Sequence, residues 1–368
     1  MTPIRRRNFL FSSTCAAVAL LSGRPRLTAE EVRQLDWLGE IQSPPASLPD
    51  DAPKLKSPLV DAQGDKITTV AQWERERAAI EQWWTNFLGE PLQGRKPNAN
   101  AWKVLEEDEI DGVRRQRISY ETEPGFETEA YLCRPKKDGK LPAVVVLHST
   151  VQDSILQPAG LSGPPEKSFG LQLARQGYVT LSPRNFLWPK NVGISARPEA
   201  AKFLQRAPGR KGMRKMLHDA QVAVDLLEQM PEVDPKRIGS VGHSLGAKEV
   251  LYLAAFDPRV KATVSSEGGI GIAFSNWDAD WYLGGTVKDP NFSHDHHELL
   301  ALCAPRPFLL IGGESADGDR GWPFIESALE VYRLYGDQPA IGQWNHRQGH
   351  AVPAEAVKRI EEWFATYL

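Results

Sequence analysis

The chain has 368 residues, of which 41% are hydrophobic and 25% charged, and its formal net charge is -3. This globular composition can fill one large core, and the near balance of charge gives no sign of a nucleic-acid partner. Its three cysteines, Cys15, Cys133 and Cys303, are too few and too scattered for a disulfide framework or a zinc cluster.

Residues 1–23 are expected to be an export signal. Arg5–Arg7 gives a basic start, and the apolar stretch Phe9–Leu21 is short for a membrane span. Arg6–Leu10, RRNFL, resembles the twin-arginine pattern, although an ordinary N-terminal helix is the alternative. We therefore expect a periplasmic or secreted protein with no stable membrane insertion once the signal is removed. The cleavage site is left open. Cys133 and Cys303 are then either buried free thiols or, in an oxidising compartment, a pair.

Residues 24–100 are predicted to form a linker followed by a helical extension. The stretch 24–68 is rich in proline and has little apolar periodicity. Residues 69–88 are predicted to be a helix, with Val70, Trp73, Ile80, Trp84 and Phe87 on one face and a stop at Gly89–Pro91.

Residues 101–368 are predicted to be the catalytic domain. Val113–Glu121 and Thr128–Cys133 suit an antiparallel hairpin, and Ala143–Leu147 suits a strand buried on both faces. Strands and helices then alternate to the end of the chain, interrupted by two long stretches read as loops, 183–210 and 270–300. This order predicts an α/β protein with a mostly parallel, doubly wound sheet in an α/β-hydrolase fold.

The nucleophile candidate is Ser244, in the sequence G-x-S-x-G formed with Gly242 and Gly246. A strand-like run, residues 238–241, precedes the motif, and helix-forming residues follow it. A serine on such a strand-to-helix turn is held clear of the sheet, and the two glycines keep Cβ atoms out of the crowded turn.

A serine hydroxyl needs a base, and the base needs an orienting carboxylate. His350 follows the last predicted strand and is favoured as the base over His346 in the same loop. Two positions compete for the carboxylate: Glu267, at the end of the strand after the nucleophile, and Asp317, after the next strand. Asp319 is a weaker third candidate, and the residues alone leave the choice between Glu267 and Asp317 open.

Two backbone N–H groups are expected to hold the oxyanion. Leu245 offers one at the start of the helix, and Thr150 or Ser149, after the 143–147 strand, offers the second. Lys248 is one turn beyond the nucleophile and is expected to bind a substrate hydroxyl or carboxylate, unless it pairs with a neighbouring acid. Trp277 is a candidate substrate-facing ring.

Residues 294–298, HDHHE, look at first like metal ligands. Their position before a predicted strand indicates helix capping and loop packing instead, so neither a metal nor a cofactor is expected.

The elbow, the APRPFLL segment and Gly349–His350 resemble the α/β-hydrolase superfamily over roughly residues 100–368. Residues 239–285 are similar to glucuronoyl esterases and to dienelactone-hydrolase-like and acetyl-xylan-esterase-like proteins. Glucuronoyl esterases carry G-C-S-R-x-G-K at the elbow and often E-S-G-x-G-G after it. Ser244, Lys248 and Glu267 match those motifs, whereas Leu245 stands where the motif has an arginine that helps hold the oxyanion.

The sequence therefore predicts an exported serine carboxylic-ester hydrolase, and the resemblance implies a small or carbohydrate-linked ester as substrate. Two alternatives are a serine peptidase of the same fold and a catalytically silent binding protein. The oligomeric state and the acyl and alcohol groups of the substrate are left open.

Overall fold

The computed structural model describes residues 35–94, 102–189 and 193–368. The predicted signal peptide lies outside the described residues. Leu35–Leu368 form one compact unit. No helix in the described part of the chain is long and apolar enough to cross a membrane.

The described residues form one sheet, and its strands in chain order are β1 (Trp102–Ile110), β2 (Val113–Glu123), β3 (Phe126–Pro135), β4 (Leu141–Leu147), β5 (Val179–Pro183), β6 (Val233–His243), β7 (Val260–Ser266), β8 (Phe308–Gly312) and β9 (Ile341–Asn345). Their spatial order is β1-β2-β3-β5-β4-β6-β7-β8-β9. The pairs β1–β2, β2–β3 and β3–β5 are antiparallel. All later pairs are parallel. The structure thus confirms the predicted α/β-hydrolase fold with a mostly parallel sheet.

The α-helices of the described residues are α1 (Leu38–Ile41), α2 (Val70–Leu88), α3 (Phe169–Arg175), α4 (Ala196–Arg206), α5 (Gly212–Gln229), α6 (Leu245–Phe256), α7 (His297–Cys303), α8 (Trp322–Arg333) and α9 (Ala354–Tyr367). Helices α4 and α7 lie in the stretches that the sequence indicated as long loops, 183–210 and 270–300. Helix α4 was missed because its sequence, ARPEAAKFLQR, is polar overall and buries only Ala200 and Phe203, so few apolar residues mark its inner face.

Strand β4 shows how helices cover both faces of the sheet. Ala143, Val145 and Leu147 pack in a cluster that includes residues of α5 and α6. The alternate residues Val144 and Val146 pack with α3 and α9 on the other face. Because successive side chains of a strand point to opposite faces, the continuous apolar run fills two cores at once.

The helical extension packs against the main domain through α2. Thr69 caps this helix by accepting a hydrogen bond from the N–H of Gln72, whose side chain bonds back to Thr69. Trp73 and Trp84 are fully buried, and the Trp84 indole N–H donates to Glu298, in the first turn of α7, at 2.7 Å.

Candidate active site

Ser244 forms the turn between β6 and α6 in a backbone conformation that side chains seldom adopt. Its φ is 59° and its ψ is -114°. The backbone N–H of Ser244 donates to the carbonyl of Ser266 at 2.8 Å, which ties the turn to the end of β7. A strained serine between a strand and a helix, partly open to solvent, is the geometry of a nucleophile elbow.

Gly242 and Gly246 are needed for close approach at this turn. A Cβ added to Gly242 would lie 2.2 Å from the carbonyl carbon of Gly246. A Cβ added to Gly246 would lie 2.0 Å from the carbonyl oxygen of Leu147, at the end of β4. Any side chain at either position would push the elbow away from the sheet.

Glu267 follows β7 and is the carboxylate that contacts His350. The Nδ1–H of His350 donates to Glu267 Oε2 at 3.2 Å. The N–H of Gly313 donates to Oε1 and that of Ala316 donates to Oε2, the latter at 2.8 Å. Burial acts to raise the pKa of Glu267, but these three hydrogen bonds and the His350 charge outweigh it and lower that pKa. Glu267 is therefore held as a buried carboxylate, which can orient and stabilise a protonated imidazole.

Backbone contacts between neighbouring strand ends bring these groups to one edge of the sheet. The N–H of Glu267 donates to the carbonyl of Ile311 in β8 at 2.9 Å, and that of Gly349 donates to Gly313 at 2.7 Å. The His350 ring lies 4.7 Å from the ring of His243, the residue before Ser244. His346, the rival base, has no contact of this kind with a carboxylate among its hydrogen bonds in the described residues: its Nδ1 accepts from the N–H of Gln348 at 3.1 Å.

Asp317, the other candidate carboxylate, lies in a different environment. Its side chain accepts the N–H of Gly269 at 2.8 Å and that of Ile270 at 2.6 Å. Burial raises the pKa of Asp317 to about 6, against the opposing effect of these two donors. Asp317 thus binds the loop that follows Glu267. Asp319 is only partly buried. It accepts a hydrogen bond from the side-chain amide of Asn345 and forms a salt bridge with Arg347, each at 2.7 Å.

Lys248 and Trp277 are buried beneath the same loop, with exposed fractions of 4% and 1%. The Lys248 ammonium donates to the carbonyl of Gly268 and lies 4.2 Å from the centre of the Trp277 ring. The Trp277 indole N–H donates to Gly269 at 2.7 Å. Burial lowers the pKa of Lys248 to about 7, and the Asp317 charge acts in the opposite direction. Both side chains hold the loop after Glu267, and contact with a substrate stays a prediction.

The two oxyanion candidates lie on adjacent segments. Leu245 is the first residue of α6. The Cβ position of Gly246 is 3.1 Å from the carbonyl of His148, so the loop that carries Ser149 and Thr150 lies against the helix start. Ser149 is buried and Thr150 exposed.

His148 was not identified from the sequence as part of this loop's support. Its Nε2 accepts the N–H of Asn185 at 3.1 Å, and its Nδ1 lies 2.8 Å from the carbonyl of Ser149. Burial lowers the pKa of His148 to about 4, so the ring is neutral and Nδ1 carries the proton donated to Ser149. The only sequence signal was its position directly after an apolar strand.

The HDHHE segment is used for packing. The His294 ring stacks on Trp83 at 3.4 Å, and its Nδ1 donates to Glu298 at 2.9 Å. The Nδ1 of His296 bonds to the carbonyl of Ile270 at 2.7 Å, and its Nε2 bonds to the hydroxyl of Tyr252 at 2.9 Å. The described residues contain no group of three or more side chains arranged to hold a metal ion.

Residues 128–280 match the model of the dienelactone hydrolase family. The Bacillus subtilis protein YtaP, whose name gives only the general class of hydrolase, is 28% identical over 64% of this chain and 83% of its own. A carbohydrate esterase named MZ0003, of an unknown prokaryotic organism, is 24% identical over 81% of this chain and 80% of its own.

Solved structures of the same fold include two glucuronoyl esterases. The one from Solibacter usitatus has a TM-score of 0.68 at 17% identity and covers 87% of this chain and 99% of its own. The glucuronoyl esterase from Teredinibacter turnerae has a TM-score of 0.64 at 21% identity, and the match covers 84% of this chain and 88% of its own. Residues 128–280 therefore resemble the dienelactone hydrolase family, the chain has an α/β-hydrolase fold, and it is similar to a carbohydrate esterase along most of its length.

Proposed function

We propose that this protein is an exported serine esterase that hydrolyses a carbohydrate-linked carboxylic ester. The observation that carries the proposal is the hydrogen bond between His350 and buried Glu267 beside the strained Ser244 turn. The family match and the hydrolase relatives support carboxylic ester hydrolysis. The predicted signal in residues 1–23 supports export.

In this mechanism Ser244 attacks the ester carbonyl, and His350 takes the serine proton. Glu267 holds Nδ1–H of the imidazole, so that the Nε2 lone pair is the one available to the hydroxyl. The Leu245 N–H and a donor from the Ser149–Thr150 loop stabilise the oxyanion. His350 then protonates the leaving alcohol, and a water molecule activated by the same imidazole hydrolyses the acyl-enzyme.

The carbohydrate part of the proposal rests on similarity to carbohydrate esterases and on the motif residues Ser244, Lys248 and Glu267. Leu245 replaces the arginine of the glucuronoyl esterase motif. A leucine side chain offers no donor to the oxyanion, so this site depends on backbone N–H groups for that task. We therefore assign the substrate to sugar esters as a class and not to the glucuronoyl ester alone.

The test is Ser244→Ala combined with a panel of esters. The panel contains nitrophenyl acetate, acetylated xylan, a glucuronate methyl ester and a peptide nitroanilide. The parent should hydrolyse at least one sugar ester, and the variant should lose several thousand-fold or more of that rate. Hydrolysis of the nitroanilide alone would identify a peptidase. A variant that stays within tenfold of the parent would contradict the assignment of Ser244 as nucleophile.

A further inference from the structure

A cavity of about 310 Å³ opens beside the oxyanion loop. Its walls come from β2 and β3 near their hairpin, the segment after β5, helix α4 and the first two turns of α5. Small-molecule sites in proteins have volumes of roughly 300–1,000 Å³, so this one suits a single small ring. The mechanism above does not use it.

The charged groups that line the cavity are paired. Its cations are Arg184, Lys202, Arg206 and Lys215. Each has a carboxylate oxygen within 2.6 to 2.9 Å of a side-chain nitrogen. An anionic ligand would find no unpaired cation among these four and would be repelled by the partner carboxylates. The wall therefore favours a neutral ligand with many hydroxyl groups, which can donate to carboxylates and accept from the cations.

Aromatic rings complete the lining. Phe126, at the tip of the β2–β3 hairpin, is 45% exposed and lines the cavity. The Arg206 guanidinium lies 4.0 Å from the centre of its ring and is itself fixed by two hydrogen bonds to Glu123, each of 2.8 Å. Trp188 and Phe186 also line the cavity. A sugar has an apolar face of C–H groups and polar hydroxyl groups at its edge. A flat aromatic ring beside paired charges can contact both parts.

The cavity wall is joined to the oxyanion loop by hydrogen bonds. The Trp188 indole N–H donates to the carbonyl of Val151 at 2.7 Å, and the N–H of Asn185 donates to His148 at 3.1 Å. Strand β5, which leads into this wall, is two strands from β6, which leads into Ser244. At ~4.8 Å between neighbouring strands, the two strand ends are about 10 Å apart. A short sugar chain can span that distance.

We propose that this cavity is a subsite for a neutral sugar unit of the same carbohydrate chain that carries the ester. The inference rests on the proposed function, since it places a further part of the substrate beside the reacting bond. It adds that the substrate is an oligosaccharide or polysaccharide ester, with an uncharged sugar bound between Phe126 and the paired charges of α4 and α5.

The test measures binding separately from catalysis. In a Ser244→Ala background, neutral tetrasaccharides of xylose, glucose and mannose are titrated by calorimetry, with glucuronic acid and a sugar phosphate as charged probes. At least one tetrasaccharide should bind, and adding Phe126→Ala should weaken it about tenfold by removing the ring contact. Phe126→Tyr, which keeps the ring, should retain binding.

Leu48→Ala is the matched control, because Leu48 is 43% exposed and does not line this cavity. Lys202→Met, on an exposed position of α4, is a second variant that should also weaken binding. The inference is overturned if no tetrasaccharide binds, if Phe126→Ala binds as tightly as its background, or if only the charged probes bind. Ester turnover by the parent is measured independently, so an active esterase without tetrasaccharide binding would reject the subsite and leave the proposed function standing.

Discussion

Glu267 and Asp317 are two buried carboxylates that follow neighbouring strands, yet their surroundings give them different chemistry. Each accepts two backbone N–H groups: Glu267 from Gly313 and Ala316, and Asp317 from Gly269 and Ile270. Only Glu267 also contacts an imidazole, that of His350. The pKa of Glu267 is lowered, whereas burial raises the pKa of Asp317 to about 6. Both side chains are buried, so the contact with His350 is the feature that distinguishes the pKa of Glu267 from that of Asp317.

The two carboxylates also support each other's loops. Glu267 binds the backbone of the loop that contains Asp317, and Asp317 binds the backbone of the loop that follows Glu267. Lys248 adds a third contact, to the carbonyl of Gly268 between them. We therefore infer that Glu267 works directly on His350, while Asp317 and Lys248 position the segment that holds Glu267.

Glu267→Gln should give the largest effect within this comparison. The amide keeps the shape of the side chain but does not stabilise the imidazolium form of His350, and it can favour the wrong tautomer. We expect kcat on a sugar ester to fall roughly a thousand-fold or more, measured by steady-state kinetics. Asp317→Asn is the matched control. If Asp317→Asn lost more activity than Glu267→Gln, the two roles would have to be exchanged.

Lys248→Met should have an intermediate effect. Its ammonium is buried against Gly268 and Trp277, so its loss should loosen the loop after Glu267. A lost hydrogen bond from a charged donor costs roughly 1.5–3 kcal/mol, which corresponds to about ten- to a hundred-fold in kcat/KM. As a positioning residue, Lys248 should give equal losses on a sugar ester and on nitrophenyl acetate, with kcat affected more than KM. A loss confined to the sugar ester would instead make Lys248 a substrate-binding residue.

Much of the fold and of the elbow could be predicted from the sequence, because both depend on local patterns. The run AVVVL predicts a doubly covered strand, and the glycines around Ser244 mark a turn with no room for Cβ atoms. Helix α4 was missed because its sequence is mostly polar and buries only Ala200 and Phe203, which leaves few apolar residues to mark its inner face. The choice between Glu267 and Asp317 could not be made, since both satisfy the same rule of following a strand.

The path of the loop after β8 decides which of the two carboxylates, Glu267 or Asp317, lies beside His350. Gly313 approaches the His350 loop so closely that an added Cβ would lie 2.0 Å from the carbonyl of Gly349. That contact depends on residues more than thirty positions apart, and no local pattern encodes it. The burial of Lys248 and Trp277 is likewise a property of the assembled loop.

Asp317→Asn should have a small effect on catalysis. The hydrogen bonds described for the Asp317 carboxylate are those from the backbone N–H groups of Gly269 and Ile270. The side-chain oxygen of an asparagine can keep one of these two hydrogen bonds. We expect kcat/KM on nitrophenyl acetate to stay within about tenfold of the parent, as for the loss of one neutral hydrogen bond. A thousand-fold loss with the fold retained would show that Asp317 takes part in the chemistry.

The last prediction is on stability and not on catalysis, and here the two carboxylates should respond to pH in opposite directions. The pKa of Asp317 is raised from 3.8 to about 6 in the folded protein. Its contribution to the free energy of unfolding is therefore fully present below pH ~4 and lost as the pH rises through 6, a change on the order of 3 kcal/mol. The pKa of Glu267 is lowered from 4.5, so its contribution is present above that value and lost as the pH falls.

Urea unfolding of the parent, Glu267→Gln and Asp317→Asn between pH 3 and pH 7 measures both contributions. The stability of the parent minus that of Asp317→Asn should fall from pH 4 to pH 7, because the buried carboxyl ionises at a cost that an amide does not have. The parent minus Glu267→Gln should rise with pH at the acid end, because its hydrogen bonds favour the ionised form. If both stability differences changed with pH in the same direction, the assignment would be contradicted. Glu267 would then not be the carboxylate stabilised in its ionised form by His350, or Asp317 would not be the one whose ionisation is opposed by burial.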